Sequence, residues 1–235
     1  MSDPDSSASP APTSAERIEF LSQYITEHKR DLMVEVMDNR TRHVTIVLEN
    51  IYQPHNASAC LRTCDCLGVQ DVHVIESRNE YRPNTKVALG SSKWLTMHKH
   101  EETKACLSQL KSDGFRIVAT SPKVDGFSPA TIPLDKPIAI LFGTEETGIS
   151  EEALEMADDT LRLPMVGFTQ SYNISVTAAI TLSRIMERVF DGEIGDLWKI
   201  DPLAREQLFL EWYRKVVSRH DLLEERHFGT ADAEN

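Results

Sequence analysis

The chain has no uncharged apolar run approaching the roughly 20 residues needed to span a bilayer, so a membrane protein is not expected. It has no GxGxxG, which removes the usual dinucleotide fingerprint and disfavours a nucleotide-dependent oxidoreductase. It has no internal repeat. Met1 to Thr13 carries Ser, Ala, Pro and Asp without a basic start or an apolar stretch, and reads as a disordered tail rather than a secretory signal. Cysteine is scarce: Cys60, Cys64, Cys66 and Cys106 form no CxxC and have no second cluster of ligands at zinc-like spacing, so no metal is expected. The expected compartment is the reducing cytoplasm, where a disulfide framework does not form. The sequons at Asn56 and Asn173 are discounted on the same ground.

Positive charge is also short. A net charge of −12 argues against indiscriminate nucleic-acid binding, because phosphate contacts supply most nonspecific affinity. The deficit is uneven, since Glu145 to Asp159 holds seven carboxylates and no Lys or Arg. Basic residues gather near the start, at Arg30, Arg40 and Arg42, and near the end, at Arg205, Arg214, Lys215 and Arg219. These read equally as a local RNA-facing surface or as solvated helix faces.

What is present is an ordinary globular composition, 40% hydrophobic and 26% charged, in 235 residues, enough for one substantial core with terminal additions. Short apolar, often β-branched runs predict strands at 44–48, 72–75, 116–119, 138–142 and 160–163. Between them, helices are predicted at 57–67 behind an Asn56 cap and ahead of Gly68, at 103–112 ahead of Gly114, at 151–157 behind Ser150, and at 174–190 behind Ser171 and Asn173. This alternation predicts an α/β fold on a mainly parallel sheet flanked by helices. A helix over 14–28, with Ile18, Leu21 and Ile25 on one face, and another over 202–219, with Leu208, Trp212 and Val216 on one side, lie outside that block.

Ligands in α/β folds gather beyond the carboxyl ends of strands, and three segments there carry chemistry. The first runs from Leu48 to Asn56 and leads into a helix bearing Arg62, whose guanidinium could grip phosphate or ribose oxygens; the plain alternative is a cap and a surface ion-pair partner. The second, Leu141 to Ser150, nearly matches a P-loop, but Ile149 stands where Lys is required, and Glu145 and Glu146 would repel phosphates. Its two glycines instead let backbone approach a ligand closely while a carboxylate meets a cation or a hydroxyl. The third, Leu163 to Asn173, sets Ser171 and Asn173 at a helix entrance ahead of Thr177, Ala178 and Ala179; caps and small core residues are its plain reading.

Together and in this order, the three segments resemble the motifs of the SPOUT RNA ribose methyltransferases, SpoU/TrmH branch, from about residue 30 to 190, with minor features such as Gly90-Ser91-Ser92-Lys93-Trp94. The resemblance implies a parallel sheet with a C-terminal trefoil knot, S-adenosylmethionine as cofactor, and a homodimer with its active site near the subunit interface. By position it implies that Asn56, Arg62, Glu145, Ser171 and Asn173 are catalytic, and that Thr120, Gly143, Leu163, Met165 and Tyr172 hold the cofactor. Tyr172 departs from the Leu usual there. The implied organisation is a tail at 1–13, a helical extension at 14–40, the methyltransferase domain at 41–192 and a second helical extension at 193–235. With helices at both ends and no separate RNA module, the chain is similar to the tRNA enzymes that methylate guanosine 18 of the D-loop. The alternatives are an rRNA 2′-O-methyltransferase, or a noncatalytic RNA-binding module that keeps the knotted fold.

Overall fold

The computed structural model describes residues 11–51, 53–77, 90–144 and 146–229. Most of the expected tail, residues 1–10, lies outside these, as does Glu145. The chain divides into two compact units, one of residues 39–200 and one that joins 1–38 to 201–235.

The larger unit is a six-stranded sheet in the order β3-β2-β1-β5-β4-β6, every pairing parallel. Its strands are β1 (Val44–Glu49), β2 (Asp71–Ile75), β3 (Thr96–His100), β4 (Arg116–Thr120), β5 (Ile138–Phe142) and β6 (Asp159–Leu161). The β-branched runs are strands because both faces are covered, which needs apolar residues on either side of the pleat. On one face, Ile46, Leu48, Val72, Ile140 and Phe142 pack with Leu61 and Cys64 of α3 (Pro54–Cys66) and with Leu182 and Ile185 of α6 (Ile174–Phe190). On the other, Val47, Ile75, Ala139 and Leu141 pack with Leu107 and Leu110 of α4 (Thr103–Ser112) and with Ala153 of α5 (Glu151–Met156). The expected α/β class with a mainly parallel sheet is thus observed.

The smaller unit holds α1 (Ser14–Ser22), α2 (Glu27–Asp38), α7 (Pro202–Val216) and α8 (His220–Phe228). Thr13 caps α1 in a reciprocal capping box with Glu16. The buried Glu224 joins Arg17 and Arg214 at 2.5 and 2.7 Å, and Phe20 stacks on His227. Among the described residues, no helix is long and apolar enough to cross a membrane.

Several expectations are corrected. The single helix at 14–28 is two, since Thr26 Oγ1 accepts the Lys29 N–H at 3.4 Å and starts a second. The helix at 202–219 likewise ends at Val216, after which Arg219, at φ 55°, turns the chain into α8. Strand β3 was not predicted, because its Thr-Met-His-Lys-His sequence lacks an apolar alternation; it is a half-exposed edge strand. Finally, Arg40 belongs to no RNA-facing surface: it is 2% exposed, pairs with Asp65 and donates to Val69 O.

Candidate active site

The strand order reverses direction at β1, which sends the chain outward to β2 on one side and pairs with β5 on the other. Loops leaving the carboxyl ends of strands on the two sides of such a point diverge and leave a crevice. Beyond β4, β5 and β6 lies an open cleft of about 750 Å³, lined by 120–124, 142–144, 146–149, 161–163, 165 and 167–172. Thr120, Gly143, Leu163, Met165 and Tyr172, the residues expected to hold a cofactor, all line it, and so does Ser171. These positions span more than fifty residues of sequence, and the parallel register gathers them at one end of the sheet.

The turn after β5 is shaped by its glycines. Thr144 and Gly148 exchange backbone hydrogen bonds, each N–H donating to the other's carbonyl at 3.0 Å. A Cβ on Gly143 would lie 2.2 Å from the Gly148 carbonyl carbon, so only glycine lets the two limbs touch. Gly148 adopts φ +77°, the left-handed region where side chains are strained. Thr120 fixes the neighbouring wall by donating from Oγ1 to Leu141 O at 2.8 Å. Glu145, the acidic residue expected to act here, lies outside the described residues.

Asn173 does two jobs. Its Oδ1 accepts from the Ser175 N–H at 2.8 Å, capping α6, while its Nδ2 donates to Asn56 Oδ1 at 3.2 Å. Asn56 is 3% exposed and donates in turn to Gln53 Oε1. Asn56 was expected to cap α3; the helix instead begins at Pro54 behind Gln53, which puts Asn56 in its first turn. The first and third sequence segments therefore meet through two amide side chains.

Arg62 is not brought into the cleft lining. It is exposed on α3 and, among the described residues, has no hydrogen bond or ion pair. A guanidinium left solvated in this way retains all five donors for an incoming anion.

Two features escaped the sequence reading. Glu49, at the end of β1, is 2% exposed, and its carboxylate accepts from Ser150 N–H, Ser150 Oγ and Thr103 Oγ1 at 2.7–2.9 Å. Its signal was a lone carboxylate ending a strand otherwise without charge. Separately, His73, His98 and His100 form a row across β2 and β3, with His73 Nδ1 and His100 Nε2 3.0 Å apart and His98 bonded to Asp71. Burial first, then the neighbouring imidazoles, push His73 down to about 4. Cys106 approaches His73 and His100, with all three donor atoms within 4.8 Å; burial, reinforced by Glu49, pushes its thiol up to about 12. Spacing among cysteines could not reveal this cluster, because two of its members are histidines on different strands.

Residues 43–183 match the SpoU rRNA Methylase family. The chain is 42% identical over 208 residues to the tRNA (guanosine(18)-2′-O)-methyltransferase of Borreliella burgdorferi, an alignment covering 88% of this chain and 94% of that protein. It is 35% identical to the enzyme of the same name from Thermus thermophilus, covering 81% and 98%. Among solved structures, the A. aeolicus TrmH/SpoU tRNA modifying enzyme superposes with a TM-score of 0.73 at 27% identity, covering 81% of this chain and 98% of that one.

Proposed function

We propose, from the premise that this chain belongs to the SpoU rRNA methylase family, that it methylates the ribose 2′-hydroxyl of guanosine 18 in tRNA with S-adenosylmethionine as donor. The carrying observation is the Asn173–Asn56 hydrogen bond, made by the residue between Tyr172 and Ile174 of the lining of a cleft built from strand-end loops. The substrate follows the relatives' names, which share that activity at 35–42% identity over most of both chains.

The cleft suits the cofactor in volume and in lining. About 750 Å³ falls within the usual range for ligands of that size. Its walls pair apolar Leu163 and Met165 with Gly143, Gly148 and the polar Ser171, the mix of apolar and polar lining that an adenosine and a zwitterionic tail call for. When bound, the cofactor supplies an electrophilic methyl on a sulfonium.

The residues of the chain then have one principal task, which is to hold a weakly acidic hydroxyl in line with that methyl, and positioning can supply much of the acceleration. Arg62 contacts the ribose and an adjoining phosphate, forking two donors onto oxygens in a fixed geometry. Asn56 and Asn173 keep the α3 and α6 entrances in register, Ser171 offers a hydroxyl at the cleft wall, and Glu145 supplies the acidic contact.

The same reading includes a C-terminal trefoil knot, residence in the cytoplasm, and a homodimer with the active site near the subunit interface. Incubation with labelled cofactor and unmodified tRNA, followed by nucleoside mapping, tests all of the chemistry at once. Label in 2′-O-methylguanosine at position 18 is expected; label elsewhere or none overturns the assignment.

A further inference from the structure

We infer that Glu49 is a positioning residue of the methyl-transfer site, one that sets the exit of the cofactor loop against the strand leading to Asn56. The inference rests on the proposed methyl transfer.

The loop of residues 143–149 leaves β5, the strand beside β1. Its start is fixed by the sheet, since Leu48 and Phe142 are partners in the β1–β5 register. Its far end is Ser150, whose carbonyl accepts the Leu154 N–H at 3.0 Å as α5 begins, and whose N–H and hydroxyl are held by a side chain of β1. Glu49 Oε2 accepts the Ser150 N–H at 2.9 Å, and Oε1 accepts the Ser150 hydroxyl at 2.7 Å. Ser150 Oγ accepts the Ala153 N–H at 3.2 Å and so caps α5. Both ends of the loop thus return to β1, at successive residues, Leu48 and Glu49.

Glu49 is tied on its other side as well. Thr103 Oγ1 donates to Oε1 at 2.8 Å from the start of α4. The next residue, Asn50, adopts φ 53°, donates its N–H to Ile75 O and exchanges side-chain hydrogen bonds with Ser77, which holds the head of the segment that reaches Asn56. One buried carboxylate is therefore the junction of the α4 start, the loop exit and the first-motif segment.

Packing alone does not call for this residue. A carboxylate 2% exposed, with no cationic partner among the described residues, is expensive to bury and is tolerated here through three neutral donors. An apolar side chain would fill the same space without that cost but could not grip Ser150. What the carboxylate adds is direction, because two of its three bonds fix the backbone and hydroxyl of a single loop residue.

The geometry distinguishes hydrogen-bond positioning from charge. In Glu49→Gln, the amide oxygen can accept the Ser150 N–H, while the two hydroxyls turn to accept from the amide hydrogens. The test is steady-state kinetics of the full chain on tRNA, with calorimetric binding of S-adenosylmethionine and a melting curve for each variant. Glu49→Gln is expected to stay within about threefold of the parent. Glu49→Ala, assayed well below its melting midpoint, is expected to raise KM for the cofactor at least tenfold while KM for tRNA is unchanged. Should Glu49→Ala not fold, Ser150→Ala reads the same contact from the loop side and is expected to weaken cofactor binding at least threefold. A folded Glu49→Ala or Ser150→Ala with parental cofactor affinity overturns the inference, as does a Glu49→Gln as impaired as Glu49→Ala. A parent chain that neither binds the cofactor nor methylates tRNA overturns the methyl-transfer reading itself, and this inference with it.

Discussion

Asn173 and Asn56, 117 residues apart in sequence, are joined by a 3.2 Å hydrogen bond from Nδ2 to Oδ1, which couples the start of α6 to the first turn of α3. The bond is separable from the capping role of Asn173. Serine caps a helix about as well as asparagine but is too short to reach Asn56. Asn173→Ser should keep thermal stability within about 0.5 kcal/mol while lowering kcat about tenfold, the equivalent of one hydrogen bond. Asn173→Ala should lose both, with a further cost of about 1 kcal/mol. Melting curves and kinetics measured side by side check this, and equal activity in the Ser variant would remove the bridge from the mechanism.

Arg62→Ala should leave the fold untouched, within about 0.5 kcal/mol, because the side chain is exposed and without a partner among the described residues. Turnover should fall on the order of 100-fold through the loss of a charge-assisted contact to RNA. Cofactor affinity should be unchanged, since Arg62 does not line the cleft. Single-turnover methylation and calorimetry resolve the two, and unaltered turnover would refute the assignment.

Two glycines near the cleft should behave in opposite ways. An alanine Cβ at position 143 would sit 2.2 Å from the Gly148 backbone, so Gly143→Ala must open the turn, at a cost of about 1–3 kcal/mol and with loss of cofactor binding. A Cβ at Gly167 meets nothing within 4 Å, and Gly167→Ala should change stability by less than about 0.5 kcal/mol. Thermal shift with and without S-adenosylmethionine distinguishes them.

Acid should act on the two units in different ranges. His73 falls from 6.5 in the unfolded chain to about 4 in the fold, driven first by burial and then by His98 and His100. Its neutral form is the folded one, so its contribution is complete above pH 6.5 and is lost as the pH falls toward 4, by up to about 3 kcal/mol. For Glu224, burial alone would raise the carboxyl, but the hydrogen bonds and charges of Arg214 and Arg17 hold it at about 2. Its contribution is complete above 4.5 and fades between there and 2. In an acid titration followed by circular dichroism, His73→Gln should flatten the first range and Glu224→Gln the second. Parent-like curves in both would contradict these environments.

Much of this was legible in the sequence for a physical reason. Strands buried on both faces announce themselves as β-branched runs, so β1, β2, β4 and β5 were found within a residue or two. The cleft loops were found because they follow those strands. Edge strand β3 was missed because one face and one edge meet water, which permits His and Lys. Asn56 was misread as a cap because Pro54, two residues earlier, is an equally good first helical residue. The Asn56–Asn173 and Glu49–Ser150 contacts were illegible, since periodicity reports which face a residue takes and says nothing of its partner across more than a hundred residues.

The pairing of β1 with β5 bears on how such a catalyst can diversify. The segment leading to Asn56 and the glycine turn spring from adjacent strands, so their separation at the root is the interstrand spacing of about 4.8 Å that peptide geometry imposes. Side-chain replacement within the sheet leaves that dimension alone, and a one-residue slip would invert both faces together. Adaptation to a different RNA is thereby confined to loop length and loop chemistry, while the gauge between donor and acceptor is inherited intact.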